Sequence, residues 1–290
     1  MKTVEESVVH AVLPERQRAA LVSLLADDDP AVYHAIREQI LSYGQPALQW
    51  LKPHTLSNDA QMRRRALEIV QRLARQSADE RFLRFCRRGG AEIDLEEATG
   101  LLAQTRYPDA SLDAYRALYD QWAEAIREPL AGIKDPEQIL CAINRFLFEE
   151  LGFQGDEQYT YDPECCYLNR IADRRRGNPI GLCAIYLFLA RRLRLPVAGI
   201  GLPGHFVCRY QTTTKEIYID CFRGGRFLTK ADCVKYLIRT NLGIADGHLA
   251  PVSTRAIAQR MCNNLHLTYA HLELADEAVR VQRYVAALGR

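Results

Sequence analysis

The stretch Arg174–Arg209, RRRGNPIGLCAIYLFLARRLRLPVAGIGLPGHFVCR, decides how the rest of this chain is read. Asn178-Pro179 sets an N-cap residue type before the residue best suited to a first helical position. From Leu182 to Ala190 the residues are apolar on every side, which predicts a central buried helix. After Pro196 the helical period stops and short β-type segments begin: VAGIGL, HFVCRY, EIYIDC and then RFL. Cys183 stands near the start of the helix, His205 follows a Pro-Gly turn, and Asp220 ends EIYIDC but for one residue. In chain order these are the residue types of a nucleophile, its base and the base's orienter.

HFVCRY and EIYIDC are separated by the polar QTTTK, a hairpin signal. A four-residue loop, Gln211–Thr214, pairs Tyr210 with Lys215. That register sets Arg209 opposite Glu216, Val207 opposite Tyr218 and His205 opposite Asp220. Phe206, Cys208, Ile217 and Ile219 then share the buried face, and a slip of one residue would destroy the whole arrangement. A thiol in the first turns of a helix lies near its positive end, where its pKa falls and thiolate forms. Gly181 leaves room for a substrate backbone, and backbone N–H groups at the helix start offer part of an oxyanion hole. Against this stands the habit of free cysteine to fill cores, and strand histidines are often structural. A redox-sensing thiol is a third reading, which requires Cys183 at disulfide distance from Cys208 or Cys221.

Working outward, residues 1–90 read as an N-terminal helical region. Apolar residues recur at helical spacing at Leu21, Leu24 and Leu25, then at Val32, Ile36, Ile40 and Leu41, with a break at Asp27–Pro30. Short helices of this kind resemble HEAT-type hairpins, although no strict period is found, and a docked helical bundle fits equally well. Paired glycines in Arg87–Glu92 mark the boundary to a core over residues 91–240. Within it, Ile139, Leu140, Ile143, Leu147 and Leu151 form one stripe, with Asp135-Pro136 as N-cap and first residue. Adjacent Cys165 and Cys166 diverge on a helix and do not make a metal site by themselves. Residues 241–290 read as a C-terminal helical hairpin, like one tetratricopeptide unit, which must pack on the core to bury its face.

Lys plus Arg (38) nearly balances Asp plus Glu (36), so no global field favours nucleic acid. The basic runs Arg63–Arg65, Arg174–Arg176 and Arg191–Arg194 lack interleaved aromatics and read as solvated faces. No stretch has the ~20 apolar residues a spanning helix needs. The N-terminus is too polar for a secretory signal. Nine irregularly spaced cysteines then point to reduced thiols and a cytoplasmic setting.

YDPECCYLNRIADRRRGNPIGLCAIYLFLARRLRLPVAGIGLPGHFVCR followed by YIDCFRGGRFL resembles the SirB1 family, a bacterial branch of the transglutaminase-like superfamily. The pieces that carry it are Y-D-P…Y-L-N, R-R-G-x-P-I, LARRL-x-LP, G-L-P-G-H-F and I-D-x-F-x-G-G, and it covers roughly Ile93 to Tyr236. The resemblance implies an α+β, papain-like core with helices on one side of a small antiparallel sheet. It also implies Cys183, His205 and Asp220 as a catalytic triad. Many members carry serine where this chain has Cys183, and Asp220-Cys221-Phe222 stands where Asp-Pro-Phe is common. The expected activity is cysteine-dependent acyl transfer or amide hydrolysis on a peptide or protein substrate, with no cofactor and no metal. Tyr167 and Asn169, in the Y-L-N segment, are expected to help the oxyanion or position substrate. The rival expectation is a non-catalytic scaffold whose helical flanks bind a protein partner.

Overall fold

The computed structural model describes residues 13–240 and 247–290. The polar N-terminus and the first residues of the C-terminal segment therefore lie outside the described residues. The chain forms two compact units, Met1–Glu80 and Arg81–Arg290.

In the first unit α1 (Glu15–Ser23), α2 (Pro30–Ser42), α3 (Pro46–Leu51) and the start of α4 (Ala60–Cys86) follow one another. Asp29 caps α2 by accepting from the Ala31 N–H at 2.8 Å, with Pro30 behind it where a missing N–H costs nothing. Leu25, Ile40, Leu51, Ile69 and Leu73 are sealed in this unit's own core.

The unit boundary falls inside α4, not at the glycine pair of Arg87–Glu92. Phe82, Leu83, Phe85 and Cys86, at the end of α4, belong to the core of the second unit, whereas Gly89 and Gly90 merely turn the chain between helices. That second unit continues with α5 (Leu95–Arg106), α6 (Leu112–Arg127) and α7 (Pro136–Asn144). Asp135 does not cap α7 with its side chain; it accepts from Lys215 Nζ at 3.2 Å. Two residues each of β1 (Gln154–Gly155) and β2 (Arg176–Gly177) pair in parallel around α8 (Leu168–Arg174).

The helix α9 (Pro179–Arg192) lies at the centre, with Pro179–Tyr186 and Phe188–Ala190 all buried. It covers one face of an antiparallel sheet of β3 (Val197–Leu202), β4 (His205–Gln211), β5 (Glu216–Asp220) and β6 (Arg226–Leu228), adjacent in chain order. Phe206, Cys208 and Ile219 face α9 in one core. Val207 and Tyr218 alternate to the other face, against Cys233 and Leu237 of α10 (Lys230–Arg239). The C-terminal pair α11 (Thr254–His271) and α12 (Ala275–Leu288) shares the α9 core through Leu265, Tyr269, Val281 and Tyr284. It is part of the second unit and not a separate body. The architecture is α+β, mostly helical with small sheets. Among the described residues no helix is long and apolar enough to cross a membrane.

The hairpin register differs from the sequence expectation by two residues. Gln211 pairs with Glu216, Tyr210 with Ile217 and Cys208 with Ile219. The turn is tighter than expected: the Thr212 N–H donates to Lys215 O at 2.9 Å, and Thr212 Oγ1 accepts from the Lys215 N–H at 3.1 Å. A two-residue shift keeps every side chain on its face, so the apolar face survives, and His205 and Asp220 stay together as diagonal neighbours.

Candidate functional site

Three turns of chain hold His205 in place. Gly204 adopts φ +69°, a left-handed conformation that the Pro203-Gly204 corner requires and glycine adopts at little cost. Tyr236 on α10 donates its hydroxyl to Pro203 O at 2.9 Å, while Arg260 Nη2 on α11 donates to Leu202 O at 2.7 Å and His205 O at 2.8 Å. The His205 ring then meets Asp220, with Nε2 3.0 Å from Oδ2. Asp220 Oδ1 also accepts from the Arg223 N–H at 3.3 Å, which fixes the carboxylate at the head of a short 3₁₀ turn. Gly225, at φ +76°, closes that turn against Asn144, whose side-chain amide donates to Gly225 O at 2.6 Å.

The Asp220 carboxylate is 2% exposed and accepts from Nε2. In a neutral ring, a carboxylate partner puts the proton on Nε2 and leaves Nδ1 as the acceptor, the tautomer a general base needs. His205 and Asp220 share a cleft of about 580 Å³ with Tyr159, Pro179, Phe222 and Tyr236. Phe222 packs edge-on to His205 at 6.1 Å between centroids, and Tyr236 lies at 5.9 Å. Arg226, Lys235 and Arg239 line the same cleft together with Glu157, and none of the three cations makes an ion pair within 4 Å among the described residues. Asp232, the acid nearest them in sequence, is spent on the Thr229 N–H and hydroxyl in a capping box.

Cys183 is elsewhere. His205 and Asp220 share the alternation of Val207 and Tyr218, whereas Cys183 lies under the α9 face of the sheet, 0% exposed. Its Sγ donates to Phe206 O at 3.5 Å, and Cys208 Sγ donates back to Cys183 O at 3.7 Å. No hydrogen bond joins Cys183 to His205 among the described residues. Burial pushes the Cys183 thiol well above its ordinary range, the opposite of the expected helix-end effect. The structure therefore joins His205 to Asp220 by a hydrogen bond and leaves Cys183 buried without one to either. Pro179, at the first position of α9, is the helix residue that reaches the cleft. Cys183, four residues on, is on the same helix face about 6 Å deeper along the axis.

The other expected helpers also lie away from the cleft. Tyr167 is buried and shares a 2.9 Å hydrogen bond with the Tyr269 hydroxyl, and Asn169 lines a separate small pocket beside Glu96 and Thr99. The helix start offers few oxyanion donors, because Pro179 has no N–H and the Gly181 N–H donates to Asn178 Oδ1 at 2.8 Å. Gly181 serves packing, since a Cβ there would meet Ile171 Cδ1 at 2.4 Å.

Cys183, Cys208 and Cys221 gather their sulfurs within 4.8 Å of one another, with Cys221 Sγ and Cys208 Sγ at 4.0 Å. Among the described residues this is the grouping close enough to share a soft metal ion. Cys183 and Cys208 each donate to a backbone carbonyl within an apolar core. Tyr236 and Arg260, which shape the site, carried no signal in the sequence because each acts from a different element through a long-range contact.

A transglutaminase-like superfamily profile matches residues 113–263. A UPF0162 protein of Xylella fastidiosa is 36% identical over 187 residues, covering 62% of this chain and 66% of that protein. A UPF0162 protein of Pseudomonas aeruginosa is 31% identical over 143 residues, covering 48% of this chain and 52% of that protein. Human F-box only protein 21 is 32% identical over 154 residues, covering 50% of this chain but 24% of that protein. The chain thus spans under two thirds of the length of these relatives. No solved structure matches.

Proposed function

For this chain, which belongs to the transglutaminase-like superfamily, we propose a polypeptide-binding role: the fold is kept and thiol catalysis is not. One observation carries the reading. The cleft is lined by His205, Asp220 and Pro179, while Cys183 is fully buried with its Sγ on the Phe206 carbonyl. A nucleophilic thiol must reach its base and its substrate, and a fully buried one with a raised pKa does neither. What remains is a cleft with aromatic walls and surplus cations, suited to an extended, acidic segment of a partner protein. Human F-box only protein 21 resembles this chain over a quarter of its own length, which fits a module used for recognition within larger proteins. The SirB1 assignment, the HEAT-like and tetratricopeptide-like character of the flanks, a partner held by those flanks, and a cytoplasmic, bacterial setting belong to the same proposal.

Acyl transfer through Cys183 is the second reading, favoured by the His205–Asp220 pair alone. Iodoacetamide labelling from pH 6 to pH 10 separates the two, comparing wild type with Cys183→Ala and His205→Ala. Binding to a pool of extended peptides is measured alongside, against His205→Trp, which fills the cleft. We expect the exposed Cys141 to label, Cys183 to stay protected in the native protein, and His205→Trp to lose peptide binding. Label at Cys183 that needs His205, or thiol-dependent incorporation of an amine into a glutamine peptide, would overturn the binding reading.

A further inference from the structure

A smaller pocket of about 90 Å³ shares Tyr159, Pro179, Gly204 and His205 with the main cleft and is floored by Arg260 and Asn264 of α11. Arg260, Asn264 and Tyr159 each bring a hydrogen-bond donor to it. Arg260 and Asn264 stand four residues apart, on one face of the helix. The Asn264 side chain has no hydrogen bond among the described residues, and neither has the Tyr159 hydroxyl. None of the residues lining the pocket is acidic.

Arg260 is the unusual member. Its guanidinium is half-buried, 5.5 Å from the Phe206 ring centroid, and crosses Gly201, where a Cβ would come within 3.0 Å of Nη1. Nη2 is spent on the carbonyls of Leu202 and His205, and the other edge of the fork has no protein partner among the described residues. No carboxylate lies within ion-pair distance. Burial holds its pKa below the ordinary arginine range. A half-buried cation without a counter-ion is costly, and the cheapest compensation is an anion that completes the fork.

Resting on the polypeptide-binding reading above, we propose that this pocket takes a carboxylate of the bound chain. Arg260, Asn264 and Tyr159 donate to it. The volume is that of about three waters, at roughly 30 Å³ each, which suits a carboxylate with one or two carbons. The carboxylate belongs either to a chain terminus or to an acidic side chain. Both present the same planar acceptor to the guanidinium.

The test is a titration of the full chain by NMR, following the His205 ring resonances. N-acetylglycine offers a terminal carboxylate, N-acetylaspartic acid α-amide a side-chain carboxylate, and N-acetylglycinamide neither. We expect saturable shifts with one or both acids, none with the neutral amide, and at least a fivefold loss of affinity in Arg260→Gln and in Asn264→Leu. Asn264→Leu keeps the Arg260 contacts to the turn, so a loss there is not a folding effect. Which acid responds names the source. An equal response to the neutral amide, unchanged affinity in both variants, or no response to any probe would each overturn the carboxylate pocket. Extended peptides with amidated C-termini and no acidic side chains, included in the peptide pool, report on the main cleft independently of that result.

Discussion

Replacing Asp220 by asparagine keeps the shape of the site and changes one thing, the charge that His205 sees. The amide oxygen can still accept from the Arg223 N–H, as Oδ1 does at 3.3 Å. The amide nitrogen then faces the protonated Nε2 of His205 across 3.0 Å, donor against donor. The ring must move its proton to Nδ1, which removes the acceptor from the cleft. A hydrogen bond to a charged group contributes about 1.5–3 kcal/mol, and the residual amide contact returns part of it, so we predict a loss of about 2 kcal/mol. For a unit of about 200 residues that corresponds to a fall of roughly 4–8 °C in the unfolding midpoint of the Arg81–Arg290 unit. Calorimetry reads the stability, and ¹⁵N spectra of the His205 ring read the tautomer. An unchanged midpoint together with an unchanged ring pattern would refute the claim that Asp220 orients the base.

Two further outcomes follow from groups outside the pair. Burial raises the thiols of Cys86, Cys165 and Cys166 from 9.0 to about 12. The folded chain therefore holds protons that the unfolded chain releases. Stability from this source is full below about pH 9 and is lost as pH rises toward 12. The urea midpoint should be lower at pH 10.5 than at pH 8, and less so after all three are changed to alanine; equal slopes would rule the thiols out as the cause. For Gly225→Ala, the φ of +76° and a Cβ placed 2.5 Å from Asn144 Cγ predict a cost of about 2 kcal/mol or more. The same change should release the Asp220 turn, seen as faster amide exchange at Arg223, and retained exchange rates would show that the turn is held by other contacts.

The sequence reading succeeded where one periodicity decided the outcome. Alternation along HFVCRY and EIYIDC requires Phe206, Cys208 and Ile219 on one face and His205 and Asp220 on the other, whatever even shift the turn imposes. That is why a register wrong by two residues still paired the histidine with the aspartate. The buried helix with Asn178 as cap and Pro179 as first residue was legible for a similar local reason. The division of the chain was not, because the residues at the end of α4 join the second core only through contacts distant in sequence. Nor could spacing reveal Arg260 or Tyr236, which reach the Leu202–His205 turn from α11 and α10.

Cys183 marks the limit most clearly. On a helix apolar all round, periodicity no longer says which face is which, nor how deep each turn lies. Every position from Leu182 to Ala190 then satisfies the same pattern. Cys183 lies one helical turn, about 6 Å along the axis, from Pro179. At the outer turn a side chain looks into the cleft beside His205; at the inner one it meets the Phe206 carbonyl and two more cysteines. Position one is proline, which has neither nucleophile nor N–H, so the chemistry cannot simply move outward by one turn. The same economy explains what the cleft retains. Tyr236, Arg260 and Asp220 each use bonds to fix the turn or ring of His205, and a histidine so constrained presents one oriented acceptor to whatever occupies the cleft. On the proposed binding reading, this oriented imidazole among cations serves recognition, and its orientation does not require a thiol.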